Sequence, residues 1–510
     1  MTATRDETAP HGFLRRPEPR AIGWASRGAE IVAGRLRLDG AVVDAAGFPD
    51  GLPERATAEL HGFGWLDDLA ALGTPAARDV AQAAVLAWVR QRPEPGTGPV
   101  WRADVTGRRV MRWVFHAGTL LPGLDRAAST PIFASLHAQL GHLRRHLSET
   151  SLEAAAGLAI AAMSLRGAEA HLPPALEALA AAADRLPADD PRRNPEAQLE
   201  TAALLAWVID TAAEARVKLP PPLRAALARI APVLRGLRHA DGGLPRMHGG
   251  GAGAPGRLDQ VLRAAGPAPP IEGAAMGFRR LSRGRSTVVL DAAPPPAGEH
   301  GQASTLGFEF TVARHPLIVG CGSGRRFGAD WAMAGRASPA CSTLVLDGLS
   351  SAQLDAVGGL DPAPGRVRVQ GDAGEGDGLA ANVRAAHDGW RESHGLDHLR
   401  ALRLAPDGLA LQGEDALEPV GAAGGTAREA ALHFHLHPEV ASGLSQDGVA
   451  LRLPSGEGWR FGHEGGALTL EPSAWLDPAQ PRPRPSRQIV LRAPLVSGTP
   501  WKIAWQLTRV

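Results

Sequence analysis

The 510-residue chain contains no tyrosine and only two cysteines. Without tyrosine, no phenol can donate or accept a proton anywhere in its chemistry. Cys321 and Cys341 define neither a disulfide framework nor a zinc knuckle, and are expected as buried free thiols. Lysine is almost as scarce: Lys218 and Lys502 stand alone, so nearly all positive charge is arginine. A GC-rich genome explains that bias, with so much Ala, Gly and Pro, more simply than a ligand does. No apolar run is long enough to span a bilayer, so membrane insertion is not expected. Met1 to Arg20 is polar and lacks the apolar core of a signal peptide. The expected compartment is the cytoplasm, or the periplasm if the start is misassigned. A formal net charge of +1 gives no case for nucleic acid or an anionic membrane surface.

What is present is a long helical half followed by a long β half. At this length two large domains are expected. Residues 1–52 read as an N-terminal segment with short strands at Glu30-Ile-Val and Arg35-Leu-Arg-Leu. From 53 to 275 apolar residues recur at three- and four-residue spacing, as in 76–91, 131–147, 152–165, 174–186, 197–213 and 222–238. Ala-rich helices on short loops suit close antiparallel pairing, in a bundle or an α/α toroid. Trp88 and Trp207 fall within these apolar runs and read as core. Gly/Pro-rich passages at 249–256 and 266–270 mark a transition. Beyond it, from 276 to 510, the period becomes two. Strands are expected at 286–290, 306–312, 343–346, 366–370, 409–412, 431–437, 449–453, 487–491 and 503–508. Many are separated by turn residues at short intervals, which favours an antiparallel β-sandwich over βαβ units.

His300-Gly-Gln302-Ala-Ser304-Thr-Leu-Gly307-Phe308 resembles the HxHxDxxSF signature of the heparinase II/III family of polysaccharide lyases. Gln302, Ser304 and Gly307 replace its second His, its Asp and its Ser. Leu60-His-Gly-Phe-Gly-Trp65, Trp101 to Arg109, Arg193-Asn-Pro195, the Asp241-Gly-Gly turn and Phe434-His-Leu-His-Pro438 extend the likeness over nearly the whole chain. The resemblance implies a multidomain α + β fold, with an N-terminal α/α toroid, a C-terminal antiparallel β-sandwich and the site between them. It also implies β-elimination on a uronate-containing acidic polysaccharide. Such a reaction neutralises the uronate carboxylate, removes the C5 proton with a base and protonates the departing oxygen with an acid. The family's lyases commonly use a Tyr as that acid, and this chain has none. The alternative is a catalytically degenerate protein that binds a glycan or a partner chain.

His300, at the first signature His, is the expected base or acid, since imidazole titrates near neutrality. Asn194 is the candidate for neutralising the carboxylate, and equally a good N-cap before Pro195. His248, in a Gly-rich loop, is a second proton-transfer candidate, or else an exposed loop residue. Arg193, Arg246, Arg336 and Gln302 are candidate substrate contacts, with a surface salt bridge the plain alternative for Arg336. No cofactor is expected. His433, His435 and His437 alternate along one strand, and some family members hold a structural metal in the sandwich. Gln302 replaces one of its ligands, so a metal near His435 and His437 is not favoured. His142 and His146, four apart without a metalloprotease Glu, read as a solvated helix face.

Overall fold

The computed structural model describes residues 12–21, 23–147, 151–271, 273–355, 358–371, 380–420, 428–496 and 501–510. The chain divides into two compact units. The first comprises Met1–Ala188, Leu199–Ala231 and Ala254–Ala268; the second comprises Asp189–Gln198, Pro232–Gly253 and Pro269–Val510. Two stretches of the helical half therefore belong with the sheets. One carries Arg193 and Asn194, the other Arg246 and His248.

The first unit is helical. Its helices include Pro75–Gln91, Ala103–Phe115, Arg126–Arg145, Leu152–Ser164 and Leu172–Asp184. Thr74, Asp125 and Ser151 cap three of them, each side chain accepting a backbone N–H at the third residue on. Pro131 lies inside its helix, because the Asp125 cap starts that helix five residues earlier than apolar spacing suggests. Ala103–Phe115 crosses Leu152–Ser164 at two glycines. A Cβ on Gly107 would lie 2.2 Å from Glu153 O, and one on Gly157 2.3 Å from Gly107 O. Only glycine permits that approach.

The motifs of residues 60–65 and 101–109 meet in this core. Trp88 Nε1 donates to His61 Nδ1 at 3.0 Å, and the buried Arg109 donates to His61 O at 2.9 Å and to Gln139 Oε1 at 2.7 Å. The Arg109 guanidinium lies over the rings of Trp88 and Trp101. Burial pushes its pKa down to about 9.

Two expectations are corrected here. Glu30-Ile-Val is helical, within Ala25–Val32, because Glu30 and Ile31 are buried on one side of that helix; the hairpin is Leu36–Leu38 with Ala41–Val43. His142 is buried rather than solvated, held by Nε2 against Trp101 O at 2.8 Å.

The second unit is built on two antiparallel sheets. One orders its strands Ala441–Ser445, Gly448–Arg452, Gly458–Glu464, Trp501–Arg509, Ala410–Pro419, Leu396–Leu404, Ala381–Trp390 and Val367–Gln370. The other runs Ala467–Trp475, Arg484–Pro494, Glu429–Leu436, His315–Val319, Phe308–Val312, Ser286–Asp291, Phe278–Arg283 and Ala274–Ala275, with Leu344–Leu346 also on Glu429–Leu436. Alternate residues of both sheets enter one apolar core. Phe308 of one sheet stacks on Trp505 of the other at 5.4 Å between centroids. Each such ring, fully buried, contributes on the order of 1.5–3 kcal/mol.

A polar chain also crosses this core. Gly389 N–H donates to His387 Nδ1 (3.0 Å), His387 Nε2 meets His398 Nδ1 (3.3 Å), and His398 Nε2 meets Asp415 Oδ1 (2.7 Å). With both rings neutral and protonated on Nε2, every atom has a partner; that tautomer follows from the bonding pattern. Arg400 and Trp505 Nε1 also donate to Asp415.

Candidate functional site

The signature segment 300–308 leads into the Phe308–Val312 strand, which pairs with Ser286–Asp291. Asp291, at the end of that partner strand, is the hub of what lies around the signature. Its carboxylate accepts from Arg193 and, at 2.7 Å, from Ser304 Oγ; His248 Nε2 lies 3.3 Å from Oδ2. Asp291 and His248 are completely buried. Burial alone would raise the carboxyl pKa, but Arg193 first and then His248 and Ser304 hold it well below the ordinary carboxylate range. Burial dominates at His248 and lowers its pKa despite Asp291, so the ring is neutral at pH 7. Ser304 thus replaces the signature Asp while binding a carboxylate supplied from the neighbouring strand.

Five of the seven proposed site residues fall into two groups. Arg193, His248 and Gln302 belong to the buried hub. Arg193 donates to Asp291 and to the carbonyls of Met276, Ala293 and Pro294. Gln302 N–H donates to His248 Nδ1 at 3.2 Å, its Oε1 accepts His248 N–H, and its Nε2 donates to Gly335 O at 2.7 Å. His248 is therefore no exposed loop residue: the loop folds under, with Met247 and His248 packed inside.

The second group is His300 and Asn194, which approach each other around Gly249 and Gly250. A Cβ on Gly249 would stand 3.0 Å from His300 Nδ1 and 3.6 Å from Asn194 Nδ2, and one on Gly250 would stand 2.4 Å from Asn194 Oδ1. Asn194 Oδ1 caps Pro195–Ala215 by accepting Ala197 N–H at 3.0 Å. Half-buried His300 receives a hydrogen bond on Nδ1 from Arg325 at 2.9 Å, and Arg325 also faces Glu299 at 3.7 Å.

Arg336 ties its segment to two others. It donates to the carbonyls of Gly301 and Gly358, each at 2.7 Å, and among the described residues it forms no salt bridge. Arg246 lies over the Trp475 ring, while its N–H donates to the buried Glu309 at 3.1 Å. The space enclosed by Gln302, Ser304, Glu309, Cys341 and their neighbours is about 10 Å³. That is room for one water at most.

The sandwich histidines do not fit a metal. His435 Nε2 donates to Pro339 O at 2.9 Å and Nδ1 meets Ser473 Oγ at 2.8 Å, so both ring nitrogens are used. His437 lies beyond the end of Glu429–Leu436 and packs edge-on against Trp475. Among the described residues, no cluster of His, Cys, Asp or Glu is arranged to hold an ion. Both cysteines are buried free thiols, and burial pushes Cys321 up to about 11.

Asp291, Arg325 and Glu309 were not singled out in the sequence, and Ser304 was named only as a departure from the signature. Asp291 had a signal, as a lone carboxylate closing the apolar run Val288-Val-Leu290. Arg325 had none, because its loop shows no periodicity.

A helical toroid followed by an antiparallel sandwich is the fold of the heparin lyases. Heparinase III superposes with a TM-score of 0.65 at 14% identity, covering 92% of this chain and 79% of its own. Heparan sulfate lyase HepC from Pedobacter heparinus, in a mutant form, gives 0.58 at 14% identity, covering 95% and 82%. Residues 265–506 match the family model described as Heparinase II/III-like, C-terminal. FtsZ-localized protein C of Caulobacter vibrioides (strain NA1000 / CB15N) is 32% identical over 536 positions, spanning 98% of this chain and 91% of the relative. The chain belongs to the heparinase II/III-like family. Among the described residues no helix is long and apolar enough to cross a membrane.

Proposed function

We propose that this protein is a catalytically silent member of its family that works by binding a partner protein, within the FtsZ assembly. The observation that carries this reading is the burial of His248. β-Elimination needs a base and an acid that reach the substrate. His248 is completely buried, with Nδ1 taken by Gln302 and Nε2 turned to Asp291. The chain has no tyrosine to replace it. Of the two histidines proposed for proton transfer, only His300 keeps access to solvent, so they do not supply a separate base and acid. The place of action is supported by the end-to-end likeness to FtsZ-localized protein C.

A second reading is favoured by the approach of His300 and Asn194 around Gly249. A lyase could use His300 for proton transfer and the Asn194 Nδ2 amide, opposite its capping oxygen, to hold the carboxylate of an acidic polysaccharide. Two measurements separate the readings. Purified protein is incubated with heparan sulfate, chondroitin sulfate and alginate, and the absorbance of unsaturated uronate is followed. A fluorescent fusion is imaged in the native cell beside labelled FtsZ. No product and co-localisation with FtsZ are expected. Product that disappears in His300→Ala would overturn silence; a diffuse fusion would remove the FtsZ reading.

A further inference from the structure

The eight-stranded sheet turns one face to the core, through Leu402, Leu411, Ile503, Trp505 and Leu507, and the alternate residues outward. That outward face holds a groove of about 850 Å³, within the range of small-molecule sites. Strand register lays its floor in two rows. Asn382, Arg403, Gln412, Gln506 and Gly462 are successive cross-strand partners in one row. Arg384, Ala401, Glu414, Ala504 and Glu464 are partners in the other. Ala401, Ala504 and Gly462 keep the floor low between longer side chains, which makes the face concave. Each row crosses five strands, a span of about 19 Å at the usual strand spacing.

The chemistry of the groove narrows its ligand. Three arginines line it (Arg384, Arg403, Arg460) against three carboxylates (Glu414, Glu464, Asp447). Arg460 faces Asp447 at 3.8 Å and Lys502 pairs with Glu414 at 2.6 Å. That balance gives no attraction for a polyanion. A peptide strand would need an unpaired sheet edge, but the five floor strands are each paired on both sides. Apolar anchors for a peptide are also missing, since Val383, Leu402 and Trp505 point inward and are buried. The groove offers instead the carboxamides of Asn382, Gln412, Gln446 and Gln506, each both donor and acceptor. A sugar hydroxyl is also both donor and acceptor, and guanidinium forks bridge neighbouring oxygens.

We propose that the outer face of this sheet is a binding groove for an uncharged oligosaccharide, separate from the site around Asp291. It stands whether or not the FtsZ reading holds. Isothermal titration uses maltohexaose, cellohexaose and chitohexaose as uncharged probes and a heparan sulfate hexasaccharide as the charged control. The proteins are wild type, the exposed pair Gln412→Ala/Gln506→Ala, and His300→Ala. At least one uncharged hexasaccharide is expected to bind saturably. The paired variant should weaken it by about ten-fold or more, through loss of two sets of hydrogen bonds, and His300→Ala should leave it unchanged. Circular dichroism establishes that each variant is folded. The proposal is overturned if no uncharged probe binds, if the groove variant binds as wild type does, or if the charged control binds more tightly.

Discussion

Gln302 and His248 hold each other through two reciprocal bonds, Gln302 N–H to His248 Nδ1 and His248 N–H to Gln302 Oε1. His248 carries a left-handed backbone, φ 51°, so its loop is folded back against a conformational preference. The glutamine therefore fastens the loop where the family signature has a histidine. Gln302→Ala leaves the buried His248 N–H without an acceptor, at a cost of about 1–3 kcal/mol. Thermal unfolding should show a lower Tm, and a Tm equal to wild type would mean that the loop is held by other contacts.

Asp291 balances Arg193 inside the protein, and both are buried. Asp291→Asn keeps the shape but leaves a buried guanidinium without a counter-charge, which costs about 3–5 kcal/mol. Arg193→Met combined with Asp291→Leu removes both charges and should be milder than the single change. Urea unfolding of the three variants checks the order. If the double variant is the least stable, geometry rather than charge balance is what the pair supplies.

Acid should weaken the fold from about pH 6.5 downward, the range in which an unfolded histidine takes up its proton. Burial first of all lowers the pKa of His248, His387, His398 and His435, the last to about 4. Below pH 6.5 the unfolded chain thus binds more protons than the folded one, and stability falls with pH. His435 alone accounts for about 3 kcal/mol between pH 6.5 and 4. Urea midpoints at pH 7.5, 6.5, 5.5 and 4.5 should be level at first and then decline. His435→Gln should make the decline shallower, and a level profile to pH 4.5 would contradict this account.

Much of this fold is legible in the chain because it rests on apolar period. The helices at 76–91, 152–165 and 222–238 and strands such as 286–290 and 503–508 repeat their apolar residues at 3.6 or 2. Strands such as Ala381–Trp390 and Leu396–Leu404 were hidden because their inward positions include His387, His398 and Arg400, polar residues whose partners, Asp415 and backbone groups among them, meet them only in the fold. Ala441–Ser445 was hidden for the opposite reason, being an edge strand exposed along most of its length. Residues near the signature could be named, but not sorted. Arg193, Asn194, His248 and His300 all carry suitable chemistry, and only three-dimensional contacts place Arg193 and His248 under Asp291 and leave His300 beside Asn194.

Asn194 separates a capping role from a binding role. Its Oδ1 accepts Ala197 N–H, a bond that an aspartate can also make. Asn194→Asp should therefore keep wild-type stability, whereas Asn194→Ala should lose about 1 kcal/mol. Equal losses in both would show that the Nδ2 group, not the cap, is what the fold requires.

Gly413 faces Trp505 across the strand pair, and a Cβ there would lie 2.0 Å from the indole ring. The ring has nowhere to withdraw. It stacks on Phe308 at 5.4 Å, packs against Phe434 at 4.9 Å, and donates from Nε1 to Asp415 at 2.9 Å. Gly413→Ala therefore overpacks the core, at about 1–3 kcal/mol or more, and should also loosen the indole from Asp415. A lower Tm with a red-shifted tryptophan emission is expected. A variant with unchanged Tm and emission would mean that the two strands can part enough to admit a methyl group.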